Sequence, residues 1–217
     1  MEESLHRVIA MRKRMRLVSV LIFLFVLTGT LNAQSWDFVR EKDGIRLYTR
    51  SEPNSPIKSY RGEVVFQASA DRICNLLGNA DQRGWWAGTF SEVRVLAEEK
   101  GKFVRYYVVC PLPILLSDRD IVIETREMTD PSSGNRIFQT RTLNSLVPES
   151  PDRVRITNYF QTWTVEPSSQ GRVRVSLEGS IDPGGNIPAW LTNQVMTNTP
   201  VRIINNLREW VMSGKPT

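Results

Sequence analysis

Histidine is nearly absent from this chain of 217 residues: the one copy, His6, lies ahead of a short apolar run that has the look of an export signal. A mature chain without it has no imidazole to act as base, acid or metal ligand, which excludes Ser-His and Cys-His nucleophile machinery and most zinc sites. Cysteine is almost as scarce. Cys74 and Cys110 are too few for a thiolate metal site and their spacing carries no signature. Two separate buried thiols are expected, with a single disulfide the alternative in an oxidising compartment. No metal and no cofactor are expected.

A long apolar stretch is also missing. The run at residues 17–27 has eleven residues, whereas a membrane-spanning helix needs about 20. Arg7, Arg12, Lys13, Arg14 and Arg16 precede it and Thr28-Gly29-Thr30-Leu31-Asn32-Ala33 follows, the three-part pattern of a secretory signal peptide. Cleavage after Ala33 is expected. No cysteine follows the run to carry a lipoprotein anchor, so a periplasmic or extracellular destination is anticipated. The charge is then reassessed: 28 Lys/Arg and 23 Asp/Glu become 23 and 21 once the five and two within residues 1–33 are set aside, a net of about +2. With no basic stripe left, nucleic acid is not an expected partner. Residues 34–217 suffice for one domain with a substantial core.

What is present begins with Asp182-Pro183-Gly184-Gly185-Asn186-Ile187-Pro188-Ala189-Trp190-Leu191, a chain reversal that leads into a helix. Asn186 is the expected N-cap and Pro188 suits the first turn. Apolar Ile187, Leu191, Val195, Ile204, Leu207 and Val211 predict one long helix over residues 187–211. Gln194 and Asn198 interrupt its buried stripe, and Pro200 should kink it between Asn198 and Val201. Two readings stay open at this point: a surface helix with satisfied polar residues, or a lid over a partly polar cavity.

Ahead of it, Asp43-Gly44 separates two short runs as a hairpin turn, and residues 60–67 read as a further strand. Ser69 to Asp71 can cap a helix with Ile73, Leu76 and Leu77 inward, ended by Gly78-Asn79. Residues 81–90 are rich in glycine and aromatics, including Trp85, Trp86 and Phe90; paired tryptophans commonly plug a core edge. Strands are predicted over residues 92–97, 103–109, 120–126, 136–142, 153–165 and 172–181, separated by turn signals. They form an antiparallel meander in an α+β fold, with no internal repeat and no linker. Alternation on the strand after the Pro-rich loop at residues 110–117 groups Arg119, Ile121, Ile123 and Thr125 on one face, the expected inner one. Residues 103–109 are ambiguous, with Phe103, Arg105, Tyr107 and Val109 opposite Val104, Tyr106 and Val108. Adjacent Arg119 and Asp120 should point to opposite faces and hold structural contacts rather than catalyse.

The Pro111-Leu112-Pro113 segment, Asp118-Arg119-Asp120-Ile121-Val122, the strand Val154 to Gln161 and the Asp182 to Asn193 motif, in that order, resemble the START family of lipid-transfer domains. The resemblance spans residues 36–210. It implies a helix-grip fold: a curved antiparallel sheet wrapped around a long C-terminal helix, enclosing an elongated cavity for one lipid. It implies also that a loop near residues 127–136 or 143–153 opens with the last helix to admit cargo. Candidate lipid-binding residues are then Trp86, Phe90, Tyr107, Ile121, Ile123, Thr125, Tyr159, Leu191, Gln194, Val195 and Asn198, with Arg119, Asp120, Pro183, Gly184 and Gly185 structural. The chain departs from the family where sterol and phosphatidylcholine carriers place an arginine (here Thr125) and an acidic residue (here Tyr107). A neutral hydroxyl pair would favour weakly polar cargo. Tyr159 matches a tyrosine of the choline-binding members, although one aromatic does not make a cage.

Three functions follow in descending order. The first is an exported, monomeric, non-enzymatic lipid-binding and transfer protein that touches membranes transiently. The second is an enzyme similar to the cyclases and aromatases of the same broader fold, drawing on Glu63, Glu124 or Glu178. The third is a ligand-sensing interaction module.

Overall fold

In the computed structural model residues 35–113 and 116–214 are described; the expected export segment and its cleavage site lie outside them. Ten strands run Asp37–Lys42 (β1), Ile45–Glu52 (β2), Ser55–Gln67 (β3), Glu92–Glu99 (β4), Phe103–Cys110 (β5), Arg119–Thr129 (β6), Arg136–Thr142 (β7), Val154–Arg155 (β8), Asn158–Pro167 (β9) and Arg172–Asp182 (β10). Four α-helices join them: Ala70–Gly78 (α1), Gly84–Ala87 (α2), Ala189–Met196 (α3) and Thr199–Met212 (α4). The sheet order is β1-β2-β3-β10-β9-β7-β6-β5-β4, so the opening strands join the meander through the β3–β10 ladder. Every pair on this path is antiparallel.

Local chemistry explains the elements. Asp43 and Gly44 both take positive φ, 56° and 73°, as a two-residue hairpin demands. In β2, Ile45, Leu47 and Thr49 are buried while Arg46, Tyr48 and Arg50 point outward, the period of two that keeps one sheet face dry. Inside, Phe138, Trp163, Val165, Val175 and Leu177 pack against Ile73 and Leu76 of α1 and against α4. Trp85 meets Trp163 edge-on, centroids 5.9 Å apart, and its indole N–H donates to Leu76 O at 3.0 Å. The arrangement is the α+β helix-grip fold, a curved antiparallel sheet against C-terminal helices.

Two expectations are corrected. The predicted strand at residues 153–165 is two elements: β8 pairs parallel with β6, through Arg119–Val154 and Asp120–Arg155, and β9 begins at Asn158. The predicted helix at residues 187–211 is likewise two helices, parted at Thr197-Asn198. Pro200 occupies the first turn of α4, where a missing N–H has no intrahelical acceptor to lose, so it begins a helix instead of bending one. Nor does Asn186 cap α3. Pro188 holds that position, its carbonyl accepting from the N–H groups of Leu191 and Thr192.

The two helices are seated differently. Pro200, Val201, Ile204, Leu207 and Val211 of α4 are buried. Gly62 of β3 makes this possible, since a Cβ there would lie 2.8 Å from Ile204 Cδ1 and 3.0 Å from Pro200 Cβ. In α3 Thr192 alone is buried, and the helix rests on the sheet's rim through Asn193, which accepts from Lys58 N and donates to Pro56 O.

Candidate binding cavity

Beneath α3 and the first turns of α4 the two layers do not meet, and a cavity of about 610 Å³ lies between them. Ile121, Ile123 and Thr125 of β6, Tyr106 and Val108 of β5, and Tyr159, Gln161 and Trp163 of β9 line its sheet side. Trp86, Thr89 and Phe90 close one flank; Leu191, Thr192, Val195, Met196, Thr199 and Ile203 form the helical side. Both paired tryptophans reach the cavity: Trp85 does so from within the core cluster, whereas Trp86 lies edge-on to Tyr106 (5.2 Å) and Phe90 (5.8 Å).

Of the eleven residues put forward for lipid contact, Trp86, Phe90, Ile121, Ile123, Thr125, Tyr159, Leu191 and Val195 lie on the lining. Tyr107, Gln194 and Asn198 do not. Tyr107 is on the outer face of β5, donating to Asp120 Oδ2 at 3.1 Å and accepting from Arg153 at 2.7 Å. Thr125 pairs instead with Thr140, their hydroxyls 2.8 Å apart. Gln194 is exposed, and Asn198 accepts a hydrogen bond from Arg40 outside the cavity. Sequence reasoning missed Tyr60, Tyr106, Thr140 and Gln161. Alternation offered Tyr106 as one of two choices, but the other three needed the strand register.

The loops expected to open lie off the cavity wall. Residues 127–136 and 143–153 contribute nothing to the lining. Leu143 and Val147 pack on the outer face over Tyr107, Val109 and Val122, and Arg155 ties the segment down through Val147 O (2.9 Å) and Pro148 O (3.0 Å). Among the lining residues Leu116, in the β5–β6 connection, is 40% and Val195 of α3 52% exposed, and Trp190 of α3 is 67% exposed close by in sequence.

Arg119 and Asp120 hold that end from opposite faces. Arg119, buried, donates to Pro183 O and Gly184 O at 3.1 Å each and to Ser117 O, binding the β10–α3 reversal to the start of β6. Gly184 and Gly185 take φ of 64° and 65° there, which a side chain would strain. On the outer face Asp120 accepts a bidentate pair from Arg155 at 2.9 and 2.8 Å. Burial alone would raise the Asp120 carboxyl, yet Arg155, Tyr107 and Arg153 together hold it below the ordinary range.

Within the lining of described residues there is no carboxylate. Glu63 and Glu178 lie on the outward faces of their strands, and Glu124, also outward, is gripped by Arg105 (2.8 Å) and Arg126 (2.6 Å). Burial raises the hydroxyls of Tyr60, Tyr106 and Tyr159 and pushes the Cys110 thiol up to about 12, so all four stay neutral at physiological pH. Cys74 and Cys110 are both free thiols. The lining is thus mostly apolar, with neutral hydroxyls and amides and two arginines, Arg119 and Arg202.

Residues 58–204 match the family described as polyketide cyclase / dehydrase and lipid transport. The chain belongs to this family. Within it, its domain is START-like. It is 27% identical to an uncharacterised protein of Pseudomonas aeruginosa, over 91% of this chain and 97% of that one. It is also 27% identical to the phosphatidylcholine transfer protein of Rattus norvegicus, over 77% of this chain and 79% of the relative. Among solved structures, a STAR-related lipid transfer protein of Xanthomonas axonopodis superposes with a TM-score of 0.73 at 26% identity, covering 82% of this chain and 98% of that one. Human StAR-related lipid transfer protein 5, at 18% identity, shares the fold with a TM-score of 0.71, over 94% of this START-like chain and 98% of its own.

Proposed function

We propose that this protein binds a single lipid or similarly hydrophobic molecule in the cavity and carries it between membranes without altering it. The observation that carries the reading is the cavity itself. About 610 Å³ of space with a largely apolar wall falls in the range of small-molecule sites and far above the voids left by ordinary packing. Each methylene moved from water into it contributes about 0.8 kcal/mol, so tail burial supplies affinity and the few polar groups supply selection. Likeness to phosphatidylcholine and STAR-related transfer proteins supports the same reading.

Transfer needs a way in. Leu116, Val195 and Trp190 give the mouth region an apolar surface suited to brief contact with a bilayer, and α3, lightly seated, is the element that moves. Export to a periplasm or exterior, by the N-terminal signal, and action as a monomer complete the proposal. The test is purification of the full chain from a bacterial host followed by native mass spectrometry and extraction. One lipid mass per chain is expected; a bare chain that stays bare after incubation with vesicles of several compositions overturns the reading.

A further inference from the structure

A line of polar residues crosses the sheet side of this largely apolar cavity at right angles to the strands. Thr125 of β6 stands opposite Thr140 of β7, Thr140 opposite Gln161 of β9, Gln161 opposite Gly179 of β10, and Gly179 opposite Tyr60 of β3. Five neighbouring strands thus place one residue each in a single row. Gly179 is the gap that completes it. A Cβ there would lie 2.8 Å from the Tyr60 hydroxyl, so the phenol lies across β10 and brings its oxygen toward Gln161. On one side the row is bordered by Phe138, Trp163 and Leu177. On the side toward the mouth come Ile123, Tyr159 and Ile181.

The hydrogen bonds within the row leave donors over. Thr125 and Thr140 share one bond, so one of their two hydroxyl protons is free. Gln161 uses its carbonyl to accept from Tyr159, and its amide N–H groups have no acceptor among the described residues. The Tyr60 hydroxyl has no such partner either, although the residue is only 2% exposed and lines the cavity. A solid core would place Phe, Leu or Val at such positions, because a buried donor left without an acceptor is costly. The cavity's two arginines, Arg119 and Arg202, lie outside the row, so the row itself presents neutral donors only, which select a neutral acceptor.

From this surplus we infer that the row is a subsite for a carbonyl oxygen, so that the cargo is a lipid bearing an ester, ketone or amide at the end that enters first. The inference rests on the carrier reading above and narrows it. The row lies six residues along β6 from Arg119, about 20 Å at 3.3 Å per residue, which puts the carbonyl at the inner end and the hydrocarbon toward the mouth. Tyr60 and Gln161 donate to the oxygen. The threonine pair supplies the third proton.

Ester and ether lipids of equal length test this directly, since they differ only in the carbonyl. The full chain is incubated with dialkyl phosphatidylcholine vesicles holding equal amounts of dioleoylglycerol and its dioleyl-ether counterpart. Bound lipid is then extracted and the two neutral lipids are quantified. An ester enrichment of about fivefold is expected for one net hydrogen bond. Tyr60→Phe, and independently Thr140→Val, should bring the ratio in the remaining bound lipid toward one, which a purely structural role would not do. Equal loading of ester and ether forms by the wild type overturns the subsite and leaves the carrier intact. No lipid of any class bound overturns the carrier reading and this inference with it.

Discussion

The two C-terminal helices face the same sheet, yet one is part of the core and the other is not. α4 buries Val201, Ile204, Leu207 and Val211 and sits close over Gly62. α3, eight residues long, buries Thr192 alone and leaves Trp190 67% and Val195 52% exposed. Burial of each apolar side chain contributes about 1.5–3 kcal/mol, so α4 is held by several such increments and α3 by hardly any. On the carrier reading proposed above, this is how a lid would be built: α4 would stay seated while α3 moved, with the break at Thr197-Asn198 between them.

The largest effect should come from the sheet that both helices face. Asp120→Ala leaves Arg155 buried without its carboxylate and is expected to cost about 3–5 kcal/mol in urea unfolding. Because the folded-state pKa of Asp120 is lowered, its contribution is present above the unfolded value near 4 and is lost as pH falls through the folded one. Glu124, whose carboxyl is lowered against the cost of burial by Arg105 and Arg126, acts in the same direction. A urea midpoint unchanged from pH 6 to pH 2 would count against both.

Next in size is a matched pair. Leu207→Ala in α4, fully buried, should cost about 3 kcal/mol, whereas Val195→Ala in α3 should stay within about 0.5 kcal/mol. Equal losses would mean that the helices are seated alike. The smallest effect sharpens the contrast without mutation: amide hydrogen exchange should be faster in Ala189–Met196 than in Thr199–Met212, by roughly tenfold or more. Cargo should slow α3 selectively.

Much of the fold could be read from the chain. The reversal at Asp182 to Leu191 has glycines where positive φ is required, and β6 alternates cleanly enough to assign Arg119, Ile121, Ile123 and Thr125 to the inner face. β5 could not be assigned because it is apolar on both sides: the segment at residues 143–153 covers its outer face, so Tyr107 and Val109 are as dry as Tyr106 and Val108. Gln194 and Asn198 were misplaced for another reason. A single helical phase over residues 187–211 turns them inward, and the break at Thr197-Asn198 resets that phase. The row from Tyr60 to Thr125 stayed hidden because it depends on which residue of β3 faces which residue of β10, a pairing that spans more than a hundred positions of chain and leaves no local signature.

Because each member of that row comes from a different strand, its chemistry can be rewritten one side chain at a time while every backbone ladder is left standing. On the subsite inferred above, exchanging a hydroxyl for a methyl would alter what the cavity accepts while the ladders stay in place. On that reading, a lineage that inherits this scaffold could diversify its cargo by point substitution alone, with no need to evolve a new architecture.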